Sequence, residues 1–500
     1  MNQRVSRFPR RHISAFLTLL IVLTTLIFLS GIANAQITLV QLSTDTFTNP
    51  DSQHMTEVEP DTFAFGSTIV SAFQVGRISG GGSSDIGFAT STNGGATWTN
   101  GFLPGVTVNW MGGHFSAASD PSVSFDPKHG KWVIAMLGLS ANNSVLVSSS
   151  SDGINWSNPV TVNSNTGFAD KTWIACDTNS GSAFFGNCYV EWDDAFGGDQ
   201  IRMSVSKDGG ATWSAAANVR NAFGLGGQPL VQPNGTVVVP FEGNGIQAFT
   251  STDGGTTWGN VSTVSSISDH GEAGSLRSGP LPTAGVDGGG TVYVAWQDCR
   301  FRTGCSSNDI VFSSSTNGTT WAAVKRIPID ATTSTVDHFI PGLAVDQNTS
   351  GSTAKLGLVY YFYPVSNCGS NCNLNVGFTK SSNAGSTWSK PMKLAGPMRT
   401  TWLPNTSLGR MVGDYISASY VNGDVSFGVF AKALQPTGSV FNEAMYTSSV
   451  GLDVLAGPEF LSSVGEKAVP NARSDHGPSL YWDHEGRVPK NPQTPPADLD

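Results

Sequence analysis

The sequence predicts an all-β fold, a β-propeller of four-stranded blades, on three observations. Glycine fills 58 of 500 positions and only 13% of residues are charged, which excludes a coiled coil and weighs against a mostly helical chain. A string of the form Ser-x-Asp/Asn, Gly, Trp recurs six times, ending at Trp98, Trp156, Trp213, Trp258, Trp321 and Trp388. Its period of 45 to 67 residues is that of a repeat architecture. Between the strings run short β-rich segments set apart by turn residues, four to a repeat, as in a propeller blade.

The first 35 residues read as a secretory signal. Arg4, Arg7, Arg10 and Arg11 precede the apolar run from Ile13 to Leu29, and Ala33-Asn34-Ala35 fits a small-residue cleavage site. The rival reading is an uncleaved membrane anchor, which the length of the run allows. Cleavage would leave Gln36 first and move the formal charge from −10 to −14, because four Arg and no acid are lost. So acidic a surface disfavours nucleic acid and anionic lipid as partners.

The repeated string has the residues of a tight hairpin turn. In the copy Ser206 to Trp213, Asp208 can accept turn amide hydrogens, Gly209 and Gly210 supply positive φ, and Trp213 offers an apolar plate between sheets. The second repeat predicts strands over 121–125, 131–137, 144–148 and 156–162, and the fifth over 281–286, 291–296, 309–313 and 321–327. First strands start near Pro60, Asp120, Asp170, Gln228, Pro280, Asp337 and Asp414, seven starts for six strings, so seven blades are favoured and six are the alternative. The seventh unit has three strands, over 414–420, 425–431 and 444–449, and Ile37–Leu42 would supply the fourth and close the ring without a free edge. Beyond 36–450 the pattern fades, and 451–500, Pro-rich and acidic at its end, is expected to be partly disordered. Six cysteines group as Cys176–Cys188, Cys299–Cys305 and Cys368–Cys372, three local disulfides in an exported chain rather than a metal site.

The Ser-x-Asp-x-Gly-x-x-Trp string resembles the Asp-box, or BNR repeat, of the sialidase-like superfamily, over roughly 36–450. The resemblance implies a propeller with the Asp-boxes on its periphery, and a site of three Arg for a substrate carboxylate, a Tyr-Glu pair as nucleophile and base, and an Asp as acid/base. Arg77 and Asp85, ahead of the first box, resemble the family's first-blade Arg and acid/base Asp, and Trp296-Gln297-Asp298-Cys299-Arg300 has the same layout. The chain departs from the family in having no Arg between Arg11 and Arg77, and Arg326-Ile327-Pro328 follows the fifth box instead of preceding the first. Asp-boxes also occur in polysaccharide lyases and in non-enzymatic proteins, so fold alone does not select an activity.

Polar groups at the first-strand starts of a propeller converge on its central mouth. By that criterion the candidates are Glu57, Glu59, His114, Asp120, Asp170, Lys171, Asp269, His270, Arg277, Asp337, His338, Arg410, Asp414 and Tyr415, with Asp269-His270-Gly271-Glu272 the densest local cluster. The repeated Asp at these starts has a bland reading too, as a cap on turn amides. The expected site takes Asp85 or Asp120 as acid/base, Tyr415 as nucleophile or proton donor, and Arg77, Arg277, Arg300, Arg410, His270 and His338 for the substrate. The sequence contains no Walker loop, GxSxG elbow, HExxH or EF-hand loop, so neither cofactor nor metal is expected. The function expected is that of a secreted or cell-surface enzyme on an extracellular glycan, most simply an exo-glycosidase of the sialidase type. A non-catalytic carbohydrate-binding scaffold and a uronate-directed lyase stay open, as does the oligomeric state.

Overall fold

The structure, a computed structural model, describes Met1 and residues 37–469 except 142, 165, 166 and 424. Apart from Met1, the segment read as a secretory signal therefore lies outside the described residues, as does the Pro-rich end, and the described strands all belong to the unit Leu39–Asp500. About half of the chain is strand (48%) and 4% is helix.

The strands form antiparallel four-stranded units in chain order. The first holds Glu57–Phe65, Thr68–Arg77, Ser83–Ser91 and Thr99–Phe102. The second holds Ala117–Asp126, Lys131–Leu139, Ser144–Ser150 and Val160–Ser164, and joins the first through the single pair Ser83 and Ala118. The third runs Ala169–Cys176, Cys188–Asp194, Gln200–Ser206 and Ala217–Phe223. The fourth runs Leu230–Val231, Val237–Gly243, Gly245–Ser251 and Ser262–Ser265. The fifth comprises Thr283–Val286, Val292–Asp298, Asp309–Ser315 and Lys325–Arg326. The sixth comprises Asp337–Val345, Leu356–Tyr363, Asn373–Ser381 and Met392–Arg399. The last combines Ser417–Val421, Val425–Ala433 and Glu443–Ser448 with the N-terminal Leu39–Gln41, which pairs Leu39 with Ser448 and Gln41 with Tyr446.

Each first strand packs against the first strands of the units before and after it, and Ser417–Val421 packs on Glu57–Phe65. Among the described residues, first strands of different units share no ladder with one another, so their inward N–H groups need other acceptors. Side chains supply them: Asp61 Oδ2 accepts the Val123 N–H at 2.8 Å, Ser122 Oγ that of Ile174 at 2.8 Å, and Thr283 Oγ1 that of Leu343 at 3.0 Å. Along the inside of these strands lies a cavity of about 420 Å³, lined by Asp61, Ser124, Trp173, Gln228, Leu343 and Ser419 among others.

The apolar core lies between neighbouring sheets. Val133, Val147, Ile174 and Trp192 fill the space between the second and third, and Tyr293, Phe312, Leu358 and Trp388 that between the fifth and sixth. The repeated string works as the turn its residues predict. Asp208 Oδ1 accepts the Thr212 N–H at 2.9 Å, Ser206 Oγ accepts the Gly210 N–H at 2.9 Å, and Trp213 Nε1 donates to Gly210 O at 3.2 Å. The same bonds recur from Ser91 to Trp98 and from Ser381 to Trp388.

The structure corrects three boundaries. Trp156 closes its turn on Gly153 O and Trp321 stands ahead of its ladder, so the fourth strands begin at Val160 and Lys325 instead of at the Trp. The last first strand starts at Ser417, because Asp414 and Tyr415 are held by side-chain contacts. Residues 451–469, within the tail expected to be partly disordered, run along the last, sixth and fifth sheets. Asp453 accepts the Ser426 N–H at 2.6 Å, Glu459–Leu461 pairs with Trp388–Ser389, and Val469 donates to Arg300 O at 2.7 Å. All three expected disulfides are present, at Cys176–Cys188, Cys299–Cys305 and Cys368–Cys372.

Candidate functional site

Antiparallel order fixes which loops share a face. First strands begin, and second strands end, on one face of the molecule, its upper face. Just inside that face the first strands repeat one irregularity: the register slips between Val58 and Asp61, Ser119 and Ser122, Asp170 and Trp173, and Phe339 and Pro341. The extra residue sits left-handed each time, with φ of 57° at Glu59, 49° at Asp120, 47° at Lys171 and 46° at Ile340. A bulge of this kind bends the strand and re-aims its side chain.

Three of the four bulges thereby meet in one ion cluster. Lys171 Nζ lies 3.3 Å from Glu59 Oε1, 3.5 Å from Asp120 Oδ1 and 3.2 Å from Asp414 Oδ2, and the residue is 4% exposed. Arg277, from the long connection before the fifth sheet, forks Asp414 through Nε, at 2.8 Å, and Nη2. Gln74 Nε2 donates to Glu59 and, at 3.0 Å, to Ser119 Oγ. Tyr415 lies under the ammonium, its ring centroid 4.3 Å from Lys171 Nζ and 5.1 Å from that of Trp173, and its hydroxyl donates to Pro121 O at 3.0 Å. Backbone pairing of Ser275 and Arg277 with Arg410, at 2.7 Å each way, ties the Arg277 loop to the segment carrying Asp414.

Two cations face three carboxylates here, and the titration follows from that imbalance. Burial pushes the Asp414 carboxyl up, but Arg277 and Lys171 outweigh it and hold the group well below the usual range. Burial raises Glu59 despite Lys171, and raises Asp120 further. Burial opposes the Lys171 charge, and Asp414, Glu59 and Asp120 overcome it. The arrangement therefore biases Asp414, on the two cations, toward its ionised form and Asp120 toward its protonated one.

A second polar cluster lies under the connection 266–282. Gln297 Nε2 donates to Asp269 Oδ1 and Glu272 Oε1, at 3.0 Å each, and Asn308 Nδ2 donates to the same two oxygens at 2.9 Å. Burial raises Asp269 to about 7 and Asp337, whose Oδ1 accepts the Asn308 N–H at 2.6 Å, to about 8. Burial, then Asp269 and Asp337, also raises Glu272. Asp309, Asp330 and His338 have ligand-type atoms within 4.8 Å of one another. Their carboxylates are spanned by Arg302 and Arg326 at 2.5 to 2.8 Å, so the group is an ion-pair network whose guanidiniums stand where a metal would.

Of the residues picked from sequence, Asp120, Tyr415 and Arg277 meet in the Lys171 cluster, and Arg410 adjoins it with Nη1 3.3 Å from Leu403 O. Arg77 is fully buried and spends its guanidinium on the Ile78 and Gly82 carbonyls and the Met411 sulfur. Asp85 turns back on its own strand, accepting the Ile86 N–H at 2.8 Å. Arg300 pairs with Asp298 at 2.6 Å on the fifth sheet. His338 is buried against Tyr360 with Nδ1 3.2 Å from Asn308 O, and the His270 N–H donates to Asn308 Oδ1 at 2.9 Å. Lys171, Glu59 and Asp414, which the sequence marks only by their position near strand starts, carry the centre of the cluster. Aligning Glu59-Pro60, Asp120-Pro121 and Ile340-Pro341 with Lys171-Thr172 would have exposed the shared bulge.

Residues 142–339 match the family model of the BNR repeat-like domain. The chain carries a BNR repeat-like domain. That domain holds Lys171 and Arg277, whereas Glu59, Asp120, Asp414 and Tyr415 come from outside the matched residues. No curated protein matches the chain. Among solved structures it is similar to the NanB sialidase from Streptococcus pneumoniae, at 14% identity over 82% of this chain and 71% of that one, with a TM-score of 0.41. An ulvan lyase shares 11% identity over 83% and 96% of the two chains, TM-score 0.47. A protein of unknown function from Dyadobacter fermentans shares 17% over 70% and 100%, TM-score 0.43.

Proposed function

We propose that the chain is a secreted, seven-bladed β-propeller, closed by its N-terminal strand, that cleaves an acidic sugar from extracellular glycans on its upper face. The meeting of Asp120, Tyr415, Arg277 and Lys171 from separate sheets carries this reading, since one place then offers positive charge, a proton-holding acid and a phenol. In this reading Arg277 and Arg410 draw the sugar carboxylate, Asp120 delivers the proton to the leaving oxygen, and Tyr415 backs the developing cation. A second reading, a glycan-binding scaffold without catalysis, is favoured by the depth of the cluster, where Lys171 and Arg277 already neutralise Asp414.

The test is a mass-spectrometric product profile after incubating residues 36–500 with sialylated, uronate-containing and neutral glycans. A released saturated sugar supports the hydrolase, and Asp120→Asn should abolish it. An unsaturated uronate would replace hydrolysis with β-elimination. Binding without product would leave the scaffold.

A further inference from the structure

The connection 103–116, between the first and second sheets on the upper face, buries Leu103 and Val106 but presents three apolar side chains at its tip to solvent. Val108 is 62% exposed, Trp110 37% and Met111 70%, and among the described residues Trp110 is the single exposed tryptophan. Exposing such side chains forfeits the free energy that burying them would release, so their position calls for a reason. The tip is also rigid. Thr107 pairs with Phe115, Val108 donates to Phe115 O at 2.9 Å, and Thr107 Oγ1 and Asn109 Nδ2 both reach Ser84 O. Gly113 packs so closely on Val106 and Thr107 that a Cβ would meet their backbone at 2.2 to 2.4 Å, and Met111 holds φ of 48°, a strained value for its type. Behind the indole stand Phe102, 5.3 Å away, and Phe47, 6.5 Å away, both edge-on.

We infer that the Trp110 indole is a stacking platform for a sugar ring, a second subsite for the glycan that the central cluster takes. This rests on the glycan reading above. A protein partner is the poorer fit: a stable protein interface buries on the order of 1,000 Å² or more, and an aromatic with two neighbours supplies a few hundred at most. One indole face suits one pyranose ring. Thr107 is level with Phe115, five residues before Asp120, so at about 3.3 Å per residue the base of the tip lies within roughly 17 Å of the cluster, and Trp110 stands beyond that base. A ligand that touches both is a chain of several sugars.

The test is an array of sialylated, uronate-containing and neutral glycans, each immobilised at lengths of about one to eight units, probed with the wild-type chain, Trp110→Ala and Trp110→Phe. The expected result is wild-type affinity that rises with chain length, a loss of about tenfold on the long glycans in Trp110→Ala, an unchanged response to the shortest, and partial recovery in Trp110→Phe. Equal length dependence in wild type and Trp110→Ala overturns the platform while leaving the glycan reading standing. No glycan bound by the wild type overturns both. Circular dichroism and thermal melting of each variant separate lost stacking from lost fold.

Discussion

Lys171 shows how a single side chain can organise three sheets and how much hangs on its charge. Replacing it by Met leaves Glu59, Asp120 and Asp414 with Arg277 as the remaining close cation, and breaking a buried pair this way costs about 3–5 kcal/mol. Urea denaturation of Lys171→Met should show that loss at pH 7 and a smaller one at pH 4.5, where the stranded carboxyls take up protons; equal losses would refute the electrostatic account. Gly318 is a second pivot, in the fifth turn. It has φ of 69°, and a Cβ there would come within 2.7 Å of Val238 and Thr250 on the neighbouring sheet. Gly318→Ala should therefore destabilise by about 1–3 kcal/mol, read as a shift in denaturation midpoint without a change in slope. The turn role of this glycine was legible in the sequence, whereas its contact with Val238 was not, because it crosses between sheets.

At the level of elements, the segment Leu452–Val469 acts as an outer strap. It has little regular structure, a four-residue helix at Leu452–Leu455 and a short strand at Glu459–Leu461, yet it covers the buried Trp388 edge and places Glu466 3.3 Å from Arg326. A chain ending at Gly451 should fold but melt at least about 4 °C lower, and added peptide 452–469 should recover part of the shift. An unaltered melting temperature would mean that the strap merely lies on the surface. In the sequence the repeat ends near Gly451, because no turn string or strand alternation follows it. The strap was hidden because isolated anchors such as Asp453 and Glu459 leave no periodic trace.

For the whole molecule, buried acids set a pH dependence whose sign can be worked out. Burial raises Asp61 to about 7, Asp269 to about 7 and Asp337 to about 8, against an unfolded value of 3.8. Their stabilising share is intact below about pH 4 and is lost as pH rises through 7 to 8, since ionising them costs more in the folded chain than in the unfolded one. Thermal midpoints should therefore fall between pH 5 and pH 8.5, and Asp337→Asn should flatten the fall. A midpoint that rises across that window would contradict this assignment.

The amino-acid sequence by itself determined the β class, the six turns and the three disulfide pairs, because each depends on residues close together in the chain: Ser, Asp and Gly within one turn, or cysteines 4 to 12 residues apart. It also marked Asp120, Arg277 and Tyr415 by their place near strand starts. Only the tertiary structure decided that they meet. Glu59, Lys171 and Asp414 are separated by 112 and 243 residues, and they touch because the bulged strands carrying Glu59, Asp120 and Lys171 pack in turn on one another while the segment carrying Asp414 leads into the strand packed on the first of them. Which charges are then neutralised, and which acid is pushed toward its protonated form, follows from burial and from distances of 3 Å, neither of which a linear spacing encodes.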